Sequence, residues 1–119
     1  MPKQIITSAS SPTTGFTDKA TPSPLVQAIR WGDMLFVSGQ GPLDPETMEV
    51  VSTDIGEQTM QNLGKLERVL DAAGADFTNV VNMRVCLRDA ADFPAFNGAF
   101  TELMKGEKVT RNCIGDTPH

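Results

Sequence analysis

Val80-Val81-Asn82-Met83-Arg84-Val85-Cys86-Leu87-Arg88 alternates more regularly than any other stretch of the chain. Val81, Met83, Val85 and Leu87 fall on one face of an extended segment, with Asn82, Arg84, Cys86 and Arg88 on the other. One apolar and one mixed face mark a strand with a single side against a core. The segments around it carry the other period. Before it, Met60, Leu63, Leu66, Val69, Leu70 and Ala73 recur at helical spacing. Asp54 is placed as N-cap, Glu57 three residues on suits a capping box, and Gly74 supplies the stop. Gly64, inside this helix, predicts close packing onto a sheet to offset its cost of roughly 1 kcal/mol relative to Ala. Glu57, Glu67, Arg68 and Asp71 read as the solvated side. After the strand, Asp89 and Asp92 bracket a second helix start, and Pro94 is tolerated in its first turn. Phe93, Phe96, Phe100, Leu103 and Met104 form that helix's core stripe, which Gly106 ends.

The next alternating stretch is Val109-Thr110-Arg111-Asn112-Cys113-Ile114. Val109, Arg111 and Cys113 share one face, and a guanidinium between a valine and a cysteine needs a partner or a polar cleft. A planar fork of donors there is suited to holding a small carboxylate through two parallel hydrogen bonds. Arg111 is therefore the candidate anchor of a site for a small acid. Asn97 lies within the apolar stripe of the second helix, one turn from Phe93 and from Phe100. It reads either as a core amide bonded to nearby backbone or as a polar group reaching a pocket.

Toward the N-terminus, Leu25 to Trp31 alternates. Gly32-Asp33 then makes a two-residue turn of type II′, and Met34-Leu35-Phe36-Val37, apolar on both faces, reads as a buried antiparallel partner. Ser38-Gly39-Gln40-Gly41-Pro42 ends that strand. Its glycines either make a strand exit or leave amides facing a ligand. Asp44-Pro45-Glu46-Thr47 is turn chemistry. Ile5 and Ile6 suit a short edge strand, and Thr7 to Pro24 reads as an irregular loop. The order hairpin, helix, strand, helix, strand is α+β, with helices packed on one face of a mostly antiparallel sheet.

At 119 residues one domain is expected. Residues 1–24 hold the short strand and loop, and 25–114 form the main body. A net charge of −5 argues against a large nucleic-acid surface. No stretch is apolar enough for a signal peptide or a membrane span, so a cytoplasmic protein is expected. Cys86 and Cys113 lie on separate predicted strands and have no metal spacing, which suggests a reduced pair. The single histidine is the final residue, His119, so His-based acid–base chemistry is excluded. Without histidine as a base, Cys113 is poorly placed to act as a covalent nucleophile.

With these residues in view, the chain resembles the Rid family, also called YjgF or endoribonuclease L-PSP. The resemblance is carried by Val37-Ser38-Gly39-Gln40 followed by Pro42, Asp44-Pro45 and Thr47. It continues through Ala72-Ala73-Gly74, Asp89/Asp92-Phe93/Asn97 and Arg111-x-Cys113. It implies a chorismate-mutase-like fold assembled as a homotrimer with clefts between subunits. It also implies hydrolytic deamination of reactive 2-imino or enamine acids to 2-keto acids and ammonia, with no cofactor. In that reading Arg111 grips the substrate carboxylate and Cys113, beside it, contributes mainly through its backbone. Ser38, Gly39 and Asn97 line the pocket, and Leu25 stands where many family deaminases have a tyrosine. The family pattern continues into a last strand bearing a water-orienting glutamate. Gly115-Asp116-Thr117-Pro118-His119 looks like the loop leading there, so a shortened chain is expected. The alternatives are a small-carboxylate sensor without turnover and, third, an endoribonuclease or translation inhibitor.

Overall fold

The computed structural model describes residues 2–8, 25–39 and 53–115. The loop expected from Thr7 to Pro24 lies almost wholly outside these residues, and the turn at Asp44–Thr47 wholly so. The described elements are β1 (Gln4–Ile6), β2 (Ala28–Trp31), β3 (Met34–Val37), α1 (Ile55–Ala72), β4 (Asn82–Leu87), α2 (Phe93–Met104) and β5 (Thr110–Gly115). The fold is α+β with two helices, as the periodicities predict.

β4 forms where alternation is strongest, with Met83 buried and Val85 and Leu87 half-buried on the inner face. It starts later than Val80 because Phe77–Asn79 makes a 3₁₀ turn. There the Asp76 carboxylate accepts from the Thr78 amide at 2.9 Å, while Asn79 Oδ1 accepts from the Asp76 amide at 3.0 Å. β5 pairs with β4 in parallel, setting Met83 opposite Arg111 and Val85 opposite Cys113. The parallel direction follows from α2, which carries the chain back so that β5 sets off the same way as β4. The other two pairings are antiparallel, in the order β1-β2-β3. At the hairpin Gly32 has φ 60°, and Asp33 has no positive φ, as a type II′ turn requires.

α1 joins the two sheets. Leu63 packs with Met83 and with Phe96, Phe100 and Met104 of α2. Three turns are enough to bring Val69 and Ala73 against Ile6 and Ala28 of the three-stranded sheet. Its ends are closed by local chemistry. The Asp54 carboxylate accepts from the Glu57 amide at 2.9 Å. Gly74, at φ 76°, lets its own amide reach Asp71 O at 3.0 Å and the Ala75 amide reach Leu70 O at 2.9 Å. Glu57, Glu67, Arg68 and Asp71 are exposed, as expected.

Gly64 differs from its expectation. A Cβ at this position meets nothing within 4 Å, so no close packing offsets the helix cost. Gly64→Ala should therefore raise stability by up to about 1 kcal/mol, read from the urea midpoint.

β3 is the second difference. Its residues were expected to be buried on both faces, but Met34 and Phe36 are exposed. Only one side of the sheet is covered by α1, on which Ile6, Ala28 and Val37 form a cross-strand row.

Two polar links fasten this sheet. The buried Gln27 donates through Nε2 to Ser8 O at 3.0 Å, and its Oε1 accepts from the Ser8 amide. The amide side chain thus extends the β1–β2 ladder beyond its last backbone pair. Arg30 donates through Nη2 to Ala73 O at the C-terminus of α1. That end has no basic residue of its own, and the guanidinium complements its partial negative charge.

Lys65 is wholly buried in α1, and this burial, then the charge of Arg68, lowers its pKa. Because the folded value lies below the unfolded one, the unfolded chain binds more protons between the two. Stability should rise as pH climbs through the lowered value toward the ordinary lysine value. Urea unfolding checks this: the wild type should gain on Lys65→Met across that range, and a constant difference would contradict it.

Candidate functional site

Arg111 sits on the inner face of β5, half-buried, beside the buried Met83 of β4. Across from it, residues 93, 96 and 100 of α2 fall on one stripe because their spacings are three and four. The guanidinium carbon lies 5.5 Å from the Phe93 ring centroid, 5.3 Å from that of Phe96 and 4.8 Å from that of Phe100. The rings are tilted against one another, Phe93 to Phe96 at 6.3 Å and Phe96 to Phe100 at 5.5 Å. All three lie within the roughly 6 Å over which a ring face attracts a cation.

Aromatic faces hold the position of a guanidinium without using its N–H groups. Among the described residues no carboxylate forms an ion pair with Arg111. Among the described residues the cation is neither in open solvent nor neutralised by a carboxylate, and they leave its donor fork available to an anion.

Cys113 is half-buried on the same face and packs against the Phe96–Phe100 cluster. Its side chain serves the core. Asn97 is half-buried on α2, and among the described residues no hydrogen bond engages its side-chain amide. The backbone-bonded core reading of Asn97 therefore has no support among them.

Leu25, Ser38 and Gly39 belong to the other sheet. The Ser38 amide donates to Gln27 O at 2.9 Å and its Oγ donates to Val26 O at 2.5 Å, tying the exit of β3 to the approach to β2. Here a cavity of about 220 Å³ opens, lined among the described residues by Leu25, Val26, Ala28 and Ile29 on one strand and Phe36, Val37 and Ser38 on the other. Gly39 is exposed, does not adopt a positive φ, and has open space where a Cβ would stand. The need for glycine expected there does not come from the backbone of a single chain. Gln40 to Pro42 lie outside the described residues.

The expected site residues thus form two groups. Arg111, Cys113 and Asn97 gather on β5 and α2, whereas Leu25, Ser38 and Gly39 gather at the hairpin, and the described cavity lining contains none of the first group. The phenylalanines that hold Arg111 were read only as core. Phe93, 39% exposed, is the poorest core residue of the three. Its spacing of three and four puts it on the same stripe as the buried Phe96 and Phe100, so the sequence carries no signal that it meets a cation.

The family model for endoribonuclease L-PSP matches residues 17–115. The chain belongs to this family. A RutC family protein of Pyrococcus abyssi is 41% identical over 101 residues, covering 83% of this chain and 80% of that protein. Solved structures of similar shape include E. coli TdcF with bound serine. It is 26% identical with a TM-score of 0.81, covering 98% of this chain and 87% of the other. RidA from an Antarctic Psychrobacter is 27% identical with a TM-score of 0.81, covering 93% and 84%. A mitochondrial member, mmf1 of Schizosaccharomyces pombe, is 34% identical over 91 residues, 76% of this chain and 55% of that protein. No helix among the described residues is long and apolar enough to cross a membrane.

Proposed function

We propose that this chain is a hydrolytic deaminase of small 2-imino or enamine acids, with Arg111 as the clamp for the substrate carboxylate. The single observation that carries the reading is the guanidinium held by three phenylalanine rings, with no partner for its donors among the described residues. An imine carbon is already electrophilic, so the site has only to fix the acid and place one water. Water adds to the C=N carbon to give a carbinolamine. The C–N bond then breaks, nitrogen leaves as ammonia, and the oxygen stays as the keto group. No cofactor enters this balance. Serine bound to TdcF supports a metabolite of this size and polarity.

In this reading Ser38, Gly39, Asn97 and Leu25 line the pocket, and Cys113 contributes backbone beside the clamp. The two groups of residues are completed by neighbouring copies in a homotrimer with clefts between subunits. Support comes from the outer face of the three-stranded sheet, where Trp31, Met34 and Phe36 are 49%, 61% and 56% exposed. A contiguous apolar face of this kind marks a contact surface. The free cysteines fit residence in the reducing cytoplasm.

One observation favours a second reading, a sensor that binds a small carboxylate without turnover. The described surroundings of Arg111 are aromatic and aliphatic and offer no carboxylate to orient water. Generating imino acids with an amino-acid oxidase, in competition with semicarbazide, separates the two. The enzyme diverts imine to keto acid and ammonia before it is trapped. A sensor leaves semicarbazone formation untouched yet binds keto acids by calorimetry.

A further inference from the structure

We infer that Gly115 is a positioning residue for Arg111, setting the height of α2 over β5 through a close approach to the backbone of Ala90. Its consequence for binding deepens the proposed function and rests on Arg111 as the carboxylate clamp; the geometry itself does not. Gly115 closes β5 opposite Leu87, on the strand face that also carries Arg111 and Cys113. A Cβ at this position would stand 3.0 Å from Ala90 Cα, 3.2 Å from Ala90 Cβ and 3.3 Å from Ala90 N. Gly115 has no positive φ, so the approach of another backbone, and not its own conformation, calls for glycine here.

The contact lies where β4 hands over to α2. The chain leaves β4 at Leu87, turns through Ala90–Asp92 over the end of the neighbouring strand, and starts α2 at Phe93. This turn is pinned at both ends. The Asp89 carboxylate accepts from the Ala91 amide at 2.9 Å, the Asp92 amide donates to Asp89 O at 3.0 Å, and the Phe93 amide donates to Ala90 O. β5 is held in turn by its ladder to β4, with Ile114 paired to Cys86 and Gly115 to Leu87. A methyl group at 115 therefore pushes Ala90 away by a few tenths of an ångström, and the first turn of α2 moves with it. Phe93 and Phe96 on that turn lie 5.5 and 5.3 Å from the guanidinium carbon, so their displacement re-aims the donor fork.

The test uses the full chain and two readouts. Ring currents of the three phenylalanines displace the Arg111 Nε–H signal in a proton–nitrogen correlation spectrum, where Arg111→Lys identifies it by its loss. Gly115→Ala should move that signal, while the signal of Arg30, whose guanidinium is bonded at Ala73 O, stays in place. Affinity for 2-oxobutanoate by calorimetry should fall about 10-fold, since a misplacement of about 1 Å can cost about 10²-fold and this one is smaller. Ala90→Gly, added to Gly115→Ala, removes the methyl at 3.2 Å and should return part of both changes. Gly98→Ala, exposed on the same helix with open space for its Cβ, should alter neither. An Arg111 signal left in place by Gly115→Ala, or an intact affinity in that variant when the wild type binds, overturns the inference. So does an equal response to Gly98→Ala, or a shift of Arg30 as well, which would mark a general disturbance of the fold. If the Arg111 signal moves but the wild type binds no 2-oxobutanoate, Gly115 still positions the guanidinium and the clamp reading alone falls.

Discussion

Arg111→Ala should lower affinity for small 2-keto acids, and kcat/KM for the matching imines, by about 10²–10⁴-fold while leaving the fold intact. The size follows from two charge-assisted hydrogen bonds at roughly 1.5–3 kcal/mol each, or about 3–6 kcal/mol together. The fold survives because α2 keeps its own core through Phe96, Phe100 and Met104, with Leu63 and Met83 behind them. The loss of cation–π contact with three rings costs stability on the order of 1–2 kcal/mol, visible as a shifted urea midpoint and separable from the binding loss. Arg111→Lys should not restore function. An ammonium keeps the charge but not the planar fork, and it stacks less well on aromatic faces. Calorimetry and the imine-diversion assay on the same preparations read both quantities. Equal affinity in wild type and Arg111→Ala would refute the clamp.

Phe36→Asp should convert the proposed trimer into monomers and with it remove activity. Phe36 lies in the row Ile5, Ile29, Phe36 on the sheet face that α1 does not cover, with Trp31 and Met34 two residues along. A carboxylate introduced at each symmetry-related copy would have to be desolvated against apolar neighbours, at a cost of several kcal/mol per ion. The monomer's own core is spared because Phe36 contributes nothing to it. Light scattering should therefore report a mass one third of the wild type's, with far-UV circular dichroism unchanged. Phe36→Asp remaining trimeric would show that the uncovered face is not the contact between subunits. A wild type that is monomeric at micromolar concentration would remove the need for clefts altogether.

Most of the fold was legible wherever the deciding chemistry is local. β4 follows from the alternation of Met83, Val85 and Leu87, α1 from Asp54 at one end and Gly74 at the other, and the hairpin from Gly32-Asp33. The inward direction of Arg111 was equally readable, since Val109 and Cys113 share its face. What holds Arg111 was not, because the rings come from α2 and the meeting depends on the parallel pairing that brings β5 beneath that helix. Lys65 escaped for a related reason. A lysine at its place on an amphipathic helix looks solvated until tertiary packing covers it. Met34 and Phe36 were misread in the opposite sense. An apolar residue signals burial without saying whether its own chain or another provides it. Under the proposed function the split between the hairpin residues and the Arg111 group has the same origin, since a site shared between copies would leave only halves in one sequence.

The central claim is that the guanidinium of Arg111 meets the negative end of a small acid. A crystal structure of the protein grown with 2-oxobutanoate tests it most directly. The account expects both carboxylate oxygens within hydrogen-bond distance of the Arg111 guanidinium nitrogens, with Phe96 and Phe100 still beneath its plane. A fully occupied ligand with its carboxylate elsewhere, and Arg111 untouched by it, would contradict the enzyme and the sensor together.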